Sequence, residues 1–381
     1  MPHVLTSEQQ SFVEAIRDFC ARECGTQEQR QRLTNNYTTP HSDEIYKKMA
    51  ELGWLGIAIP EQYGGSGGGM VDLCLFLEES SRGMAPIAAF GTTAIVAGAY
   101  ERFGTDAQKQ EILGGIMTGN VEAIVMSEPE AGSDVSAVTC RADKTEGGFL
   151  LNGQKTWCSN AQITAHILVI ARNDSEGPKH EGVTLLSVPA GAPGMEIRPI
   201  PTMAGPEEVN DIFFTDCFVP DDAVLGTVGA GWMQLMTGLN AERLILAAMY
   251  LGTMQRAFDQ TLAYIKERKQ FGRPIGSFQA LRHRIADLAT EIECCKLLVY
   301  DVAAGIDADP DRVFAREASM AKLKVTEVTK KVALEGMQMM GGYGYALEYD
   351  MEKFVRTGLV GTIFGGTSEI QREIISKTYG L

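Results

Sequence analysis

The sequence predicts an α+β fold in three consecutive parts: helices over 1–121, strands over 122–228 and helices again over 229–381. Periodicity is the first reason. From Glu122 to Val228, β-branched and aromatic runs (His166 to Ala171, Val183 to Val188, Asp211 to Phe218) alternate with turn residues, whereas on either side apolar residues recur at helical spacing. Proline is the second. Pro178, Pro189, Pro193, Pro199, Pro201, Pro206 and Pro220 crowd the middle part and should cut it into short strands, while only Pro274 and Pro310 follow Gly229. Four or five long helices are therefore expected at the end.

Taken in order, Thr6 with Gln9 forms a capping-box start, and Phe12, Val13, Ile16 and Phe19 follow as one face of an amphipathic helix. Thr105 with Gln108 repeats the signature. Between them, Tyr63-Gly64-Gly65-Ser66-Gly67-Gly68-Gly69 fits neither the dinucleotide nor the Walker phosphate pattern and reads as a connector between helices. No internal repeat is evident.

At 381 residues and 45% hydrophobic content, the chain can bury a large core spread over two or three lobes. Its longest apolar run, Leu244 to Leu251, is too short to cross a bilayer, which needs about 20 apolar residues. The start of the chain lacks the pattern of a secretory signal, so a cytoplasmic location is expected. A net charge of −15 opposes nucleic-acid binding, which requires clustered Lys and Arg, and suits a self-repelling surface. Cysteines at 20, 24, 74, 140, 158, 217, 294 and 295 show no Cys-x-x-Cys spacing, and the histidines are scattered; reduced, buried thiols are expected, without a metal site.

Chemistry first shows at Val125-Met126-Ser127-Glu128-Pro129-Glu130-Ala131-Gly132-Ser133-Asp134, where hydroxyls and small residues suit a pyrophosphate or flavin edge, although the run alone equally fits a turn. Asn152-Gly153-Gln154-Lys155-Thr156-Trp157-Cys158-Ser159-Asn160 adds an aromatic plane and a hydroxyl. Farther on stand Glu267-Arg268-Lys269-Gln270-Phe271-Gly272, Gln279, Gln338-Met339-Met340-Gly341-Gly342-Tyr343-Gly344 and Phe364-Gly365-Gly366-Thr367-Ser368-Glu369-Ile370-Gln371. Singly, each has a plain structural account: Trp157 as core, Arg268 as a solvated helix end, the glycines as a helix stop. In this order and spacing, over nearly the whole chain, they resemble the acyl-CoA dehydrogenase family.

The resemblance implies an N-terminal α-domain, a middle β-barrel or sandwich domain and a C-terminal four-helix bundle, with FAD bound between the last two. Ser127 and Ser159 match hydroxyls that bond the isoalloxazine, Trp157 the aromatic that flanks it, and Ser133 a position near the pyrophosphate and the substrate's pantetheine. Arg268, Phe271, Gln279, Gln338 and Gly342 match positions reaching a neighbouring subunit's FAD, which implies a homotetramer built as a dimer of dimers. Thr367 and Glu369 match flavin contacts. Asn240, Arg243 and Gly366 join Ser133 as expected substrate contacts, and electron-transfer flavoprotein is the implied oxidant.

One departure matters for the chemistry. Most of the family carries a glutamate directly before Gly-Thr-Ser as the base that removes the substrate's α-proton; here that residue is Gly365. Its N–H remains available as half of an oxyanion hole, but the base must come from elsewhere. Glu242 shares a helical stripe with Ile245, Leu246, Met249 and Thr253, an apolar setting that raises a carboxylate's pKa toward a useful range. Isovaleryl-CoA and long-chain acyl-CoA dehydrogenases, and crotonobetainyl-CoA reductase, resemble the chain in this pairing. The competing reading makes Glu242 a first-turn acid of a helix capped by Asn240. Arg356-Thr357-Gly358 in place of Arg-Asp-Ala, and the run Met203 to Asp211, also depart from the family pattern. The acyl group is open. So are an enoyl-CoA reductase, a non-catalytic subunit of a mixed tetramer, and an oxidase or monooxygenase on the same fold.

Overall fold

The computed structural model describes residues 4–173 and 180–381; Pro178 lies outside them. The first helices are α1 (Ser7–Cys24), α2 (Gln27–Leu33), α3 (Asp43–Glu51), α4 (Met70–Arg82), α5 (Phe90–Phe103) and α6 (Asp106–Met117). Strands β1 (Glu122–Val125), β2 (Arg141–Thr145), β3 (Gly148–Ser159), β4 (His166–Arg172), β5 (Val183–Pro189), β6 (Met195–Thr202), β7 (Gly205–Pro220) and β8 (Val224–Leu225) follow. The chain ends with α7 (Gly231–Glu267), a hairpin of β9 (Lys269–Gln270) and β10 (Arg273–Pro274), then α8 (Gln279–Ala308), α9 (Ala315–Met340), α10 (Gly342–Tyr345), α11 (Met351–Gly361) and α12 (Ser368–Lys377). Two compact units result: Met1–Arg30, Gly69–Ala85 and Glu242–Leu381 form one, and Gln31–Gly68 with Pro86–Ala241 the other.

In the first, helical unit, the capping box forms as the sequence predicts. Thr6 Oγ1 accepts from Gln9 N at 3.2 Å and Gln9 Oε1 from Thr6 N at 3.1 Å, and α1 buries Val13, Ile16 and Phe19. α9 packs against α8, α11 and α12. The expectation of four or five long helices needs correction: α7, α8 and α9 are long, at 37, 30 and 26 residues, but the remainder is divided into short helices. Positive φ at Gly341 (+62°), Asp350 (+55°), Gly365 (+59°) and Gly366 (+80°) supplies the breaks, since left-handed backbone cannot continue a right-handed helix. The departure at Gly358 has a packing reason: a β-carbon there would stand 2.9 Å from Lys330 Cα on α9.

In the second unit, all eight strands join one sheet, ordered β6-β7-β3-β2-β4-β5-β8, with β1 parallel to β4. Its core gathers Val125, Cys140, Phe149, Leu151, Ile167, Val169, Leu186, Ile212, Phe214 and Val219. The prolines do not all break strands, another correction. β7 runs 16 residues from Gly205 to Pro220 with Pro206 inside it, and Pro199 and Pro201 lie within β6. β6 is an edge strand, where one side of the backbone needs no ladder hydrogen bond. Thr105 and Gln108 form the second capping box, at the start of α6.

Among the described residues, no helix is long and apolar enough to cross a membrane. Seven cysteines are buried as expected; Cys294 is exposed.

Candidate active site

The sheet unit places the expected flavin contacts around a β-bulge. Lys155 pairs with Ile212 and Cys158 with Asn210, so β3 spends one residue more than β7 across this step. Trp157 absorbs the difference at φ +60°, and its side chain turns to solvent, 59% exposed, between buried Thr156 and Cys158. An indole displayed this way is a stacking face, which corrects the account of Trp157 as core. The backbone carbonyl of Ser127 accepts from Thr156 N at 3.0 Å, so the segment after β1 is fastened beside the bulge. Ser159 ends β3, half-buried; Ser133 is exposed in the loop after β1.

Sequence reasoning missed what holds this platform. Lys155 is fully buried and donates to Glu128 Oε1 at 2.7 Å and to Met126 O at 3.0 Å. Glu128 accepts in turn from Thr139 N, Thr139 Oγ1 and Cys140 N at 2.7–2.9 Å. Burial works to raise the Glu128 pKa, but the Lys155 charge and these donors hold it below the ordinary carboxylate value; burial lowers that of Lys155. Both residues stood inside the motifs noted above without a role.

In the helical unit, Gly365 and Glu242 come together. A β-carbon built on Gly365 would lie 3.8 Å from Glu242 Oε1 and 2.3 Å from Leu246 Cδ1. Glu242 and Leu246 sit one turn apart on the same face of α7, opposite the residue whose side chain is missing. Glu242 is half-buried by surface exposure, yet its carboxylate is densely enclosed; burial raises its pKa against the opposing charges of Arg243 and Lys322. The reading of Glu242 as a first-turn acid fails. α7 begins at Gly231, which leaves Asn240 and Glu242 about three turns inside it, beyond the reach of the helix dipole. Asn240 is half-buried there, and Arg243 is buried, its pKa lowered by that burial against the pull of Glu242.

The loop after α11 presents its backbone. Gln371 Nε2 donates to Gly365 O and Gly366 O, each at 3.1 Å, and Lys322 Nζ donates to Gly361 O at 2.9 Å and Gly366 O at 2.7 Å. Among the described residues, the N–H groups of Gly365, Gly366 and Thr367 donate to no protein acceptor. Thr367 caps α12 through Oγ1, which accepts from Ile370 N at 3.2 Å, and Glu369 is exposed in the first turn. Lys322 lay outside every motif read from the sequence, and Gln371 stood at the end of the Phe364–Gln371 motif without a role.

A further set gathers at the end of α7 and of α9. The Arg268 guanidinium lies 5.2 Å from the Tyr343 ring centre, next to Gly342. Phe271, at φ +53° in the β9–β10 turn, is 92% exposed and meets Phe278 edge-on at 6.0 Å, just before Gln279 opens α8. Gln279, Gln338 and Gly342 are exposed.

These features define a flavin-dependent oxidoreductase of the acyl-CoA dehydrogenase type. The family models agree: "Acyl-CoA dehydrogenase, N-terminal domain" matches residues 6–120, the middle domain 123–217 and the C-terminal domain 229–380. Isovaleryl-CoA dehydrogenase of Solanum tuberosum is 36% identical over 97% of this chain and 90% of its own. Among solved structures, an acyl-CoA dehydrogenase from Geobacillus kaustophilus matches with TM-score 0.93 and 31% identity over all of both chains. An FAD complex of PigA matches with TM-score 0.92 and 28% identity, also over all of both chains. The chain belongs to the acyl-CoA dehydrogenase family, and FAD is its cofactor. Within the sheet unit the residues fit that group: an exposed indole on a bulge, with Ser127 fastened beside it.

Proposed function

We propose that the chain dehydrogenates an acyl-CoA thioester to the 2,3-enoyl-CoA with Glu242 as the base. The 3.8 Å approach of Glu242 Oε1 to the empty β-position of Gly365 carries this reading: a carboxylate from α7 serves the space that a glutamate at 365 would otherwise serve. Its raised pKa is that of a group able to take a carbon acid's proton, because burial disfavours the charge and transfer removes it.

In this mechanism the Gly365 N–H donates to the thioester carbonyl and stabilises the enolate that forms as Glu242 takes the Cα proton. FAD, when bound, would supply the acceptor for the hydride leaving Cβ and a route for its electrons to electron-transfer flavoprotein. Trp157, Ser127, Ser159, Thr367 and Glu369 hold the flavin, Ser133 its pyrophosphate side, and Asn240, Arg243 and Gly366 join Ser133 at the substrate. Arg268, Phe271, Gln279, Gln338 and Gly342 serve a neighbouring subunit's cofactor in a cytoplasmic homotetramer; a phenylalanine 92% exposed on one chain supports such a covering partner. The reading divides the chain at 121/122 and 228/229.

Anaerobic titration with short, branched, long and aromatic acyl-CoAs, followed by flavin absorbance, tests it. Bleaching by one class names the substrate, and Glu242→Gln should stay yellow and lose the bleaching. A variant that bleaches at the parent rate would overturn the assignment.

A further inference from the structure

Lys322 stands inside α9 with no exposed surface, where a lysine is rarely found. Among the described residues it makes no ion pair; its ammonium donates instead to two backbone carbonyls, Gly361 O at 2.9 Å and Gly366 O at 2.7 Å. Gly361 is the last residue of α11, and Gly366 immediately follows Gly365. Fastening two carbonyls does not by itself require a charge. Gln371, fully buried, already fastens Gly365 O and Gly366 O with a neutral amide. A buried ammonium costs more to desolvate than an amide, so its presence points to a task that needs a stiff, strong donor.

The geometry of the loop supplies that task. A trans peptide sets each carbonyl opposite the following N–H, so drawing Gly365 O and Gly366 O inward turns the N–H groups of Gly366 and Thr367 the other way, while the Gly365 N–H is held through the backbone that Lys322 pins at Gly361 O and Gly366 O. Both glycines lie at positive φ, which no contact of their own side chains can enforce. The conformation is therefore set from outside, by Lys322 at both ends of the segment and by Gln371 at one. The charge of Lys322 is also felt at Glu242, so base and loop share one neighbour.

We infer that Lys322 is a positioning residue for the reaction: by gripping the carbonyls of Gly361 and Gly366 it fixes the loop whose Gly365 N–H polarises the substrate's thioester carbonyl. The inference rests on the oxyanion role proposed above for Gly365.

The test uses the FAD-loaded enzyme with Lys322→Met, Lys322→Gln and Glu242→Gln, and crotonoyl-CoA carrying a ¹³C carbonyl as the infrared probe. In the parent the bound carbonyl band should lie below its value in free solution. Lys322→Met should keep its flavin and return the band toward the free value. Its kcat should fall about 10²–10³-fold, the loss expected for one oxyanion donor, with a smaller change in KM. Lys322→Gln, which keeps a donor, should fall between. A folded, flavin-loaded variant with an unmoved band and kcat within a few-fold of the parent overturns the inference; if Lys322→Met does not fold, Lys322→Gln decides by the same band. Glu242→Gln separates the two claims, since it should keep the shifted band while losing turnover. Turnover retained there would sink the base assignment and leave the Lys322 result standing by itself.

Discussion

Glu242 Oε1 lies 3.8 Å from the point where Gly365 would carry a β-carbon, and Leu246, one turn along the same helix, puts its δ1 methyl 2.3 Å from that point. The two positions are therefore coupled by packing as well as by chemistry. A side chain at 365 and the side chains of residues 242 and 246 compete for one volume, so the glycine is the complement of the carboxylate carried on α7.

This coupling predicts the outcome of moving the carboxylate. Glu242→Gln with Gly365→Glu should stay inactive, because the new residue must adopt φ near +59° and displace Leu246. Left-handed backbone at a non-glycine residue costs about 1–3 kcal/mol. Adding Leu246→Ala opens the space and should restore part of the bleaching rate, measured anaerobically with the substrate that the titration identifies. Equal rates in the double and triple variants would show that Leu246 does not exclude a base at 365.

A second expectation concerns pH. In its proposed role as base Glu242 must be ionised, so kcat/KM should rise with pH through a midpoint above the ordinary carboxylate value of about 4.3. Stability runs the other way. Between the unfolded and the raised folded pKa, the native state holds more protons than the unfolded chain, so this residue's contribution falls as pH rises through that window. Glu242→Gln removes the effect. Its melting temperature relative to the parent should climb between pH 4.5 and 7.5, and a flat difference would contradict a raised pKa.

Much of this was legible in the chain because it is written locally. The capping boxes at Thr6 and Thr105 and the strand runs from His166 and Val183 depend on residues a few positions apart. The plain structural accounts fail, and residues go unnoticed, where distant partners decide. Asn240 followed by Glu242 carries the signature of a helix start, yet Gly231 begins the helix and the apolar residues of α7 continue through. Lys322 looks like any solvated lysine of a helix, and its acceptors are carbonyls 39 and 44 residues away that no side chain marks. Trp157 taken singly has a plain account as core, which the bulge overturns by turning it outward.

The Glu128–Lys155 pair allows a last test of how the sheet unit holds the segment after β1, the proposed flavin side. Glu128→Gln leaves the Lys155 ammonium fully buried with only neutral oxygens, Met126 O and the new amide, to accept from it, and removing the charged partner of a buried pair costs about 3–5 kcal/mol. The donors at Thr139 and Cys140 also lose a charged acceptor. Because the Glu128 pKa is held low, its stabilisation is present above the unfolded-state pKa and is lost as pH falls through the folded one. Chemical denaturation should therefore show the largest penalty for Glu128→Gln near neutrality and a shrinking one toward pH 3. Pairing it with Lys155→Met removes the stranded charge and should recover a large part of the loss. Ser127 directly precedes Glu128, so the single variant should also retain less FAD than the parent after gel filtration; full retention would separate this ion pair from the cofactor platform.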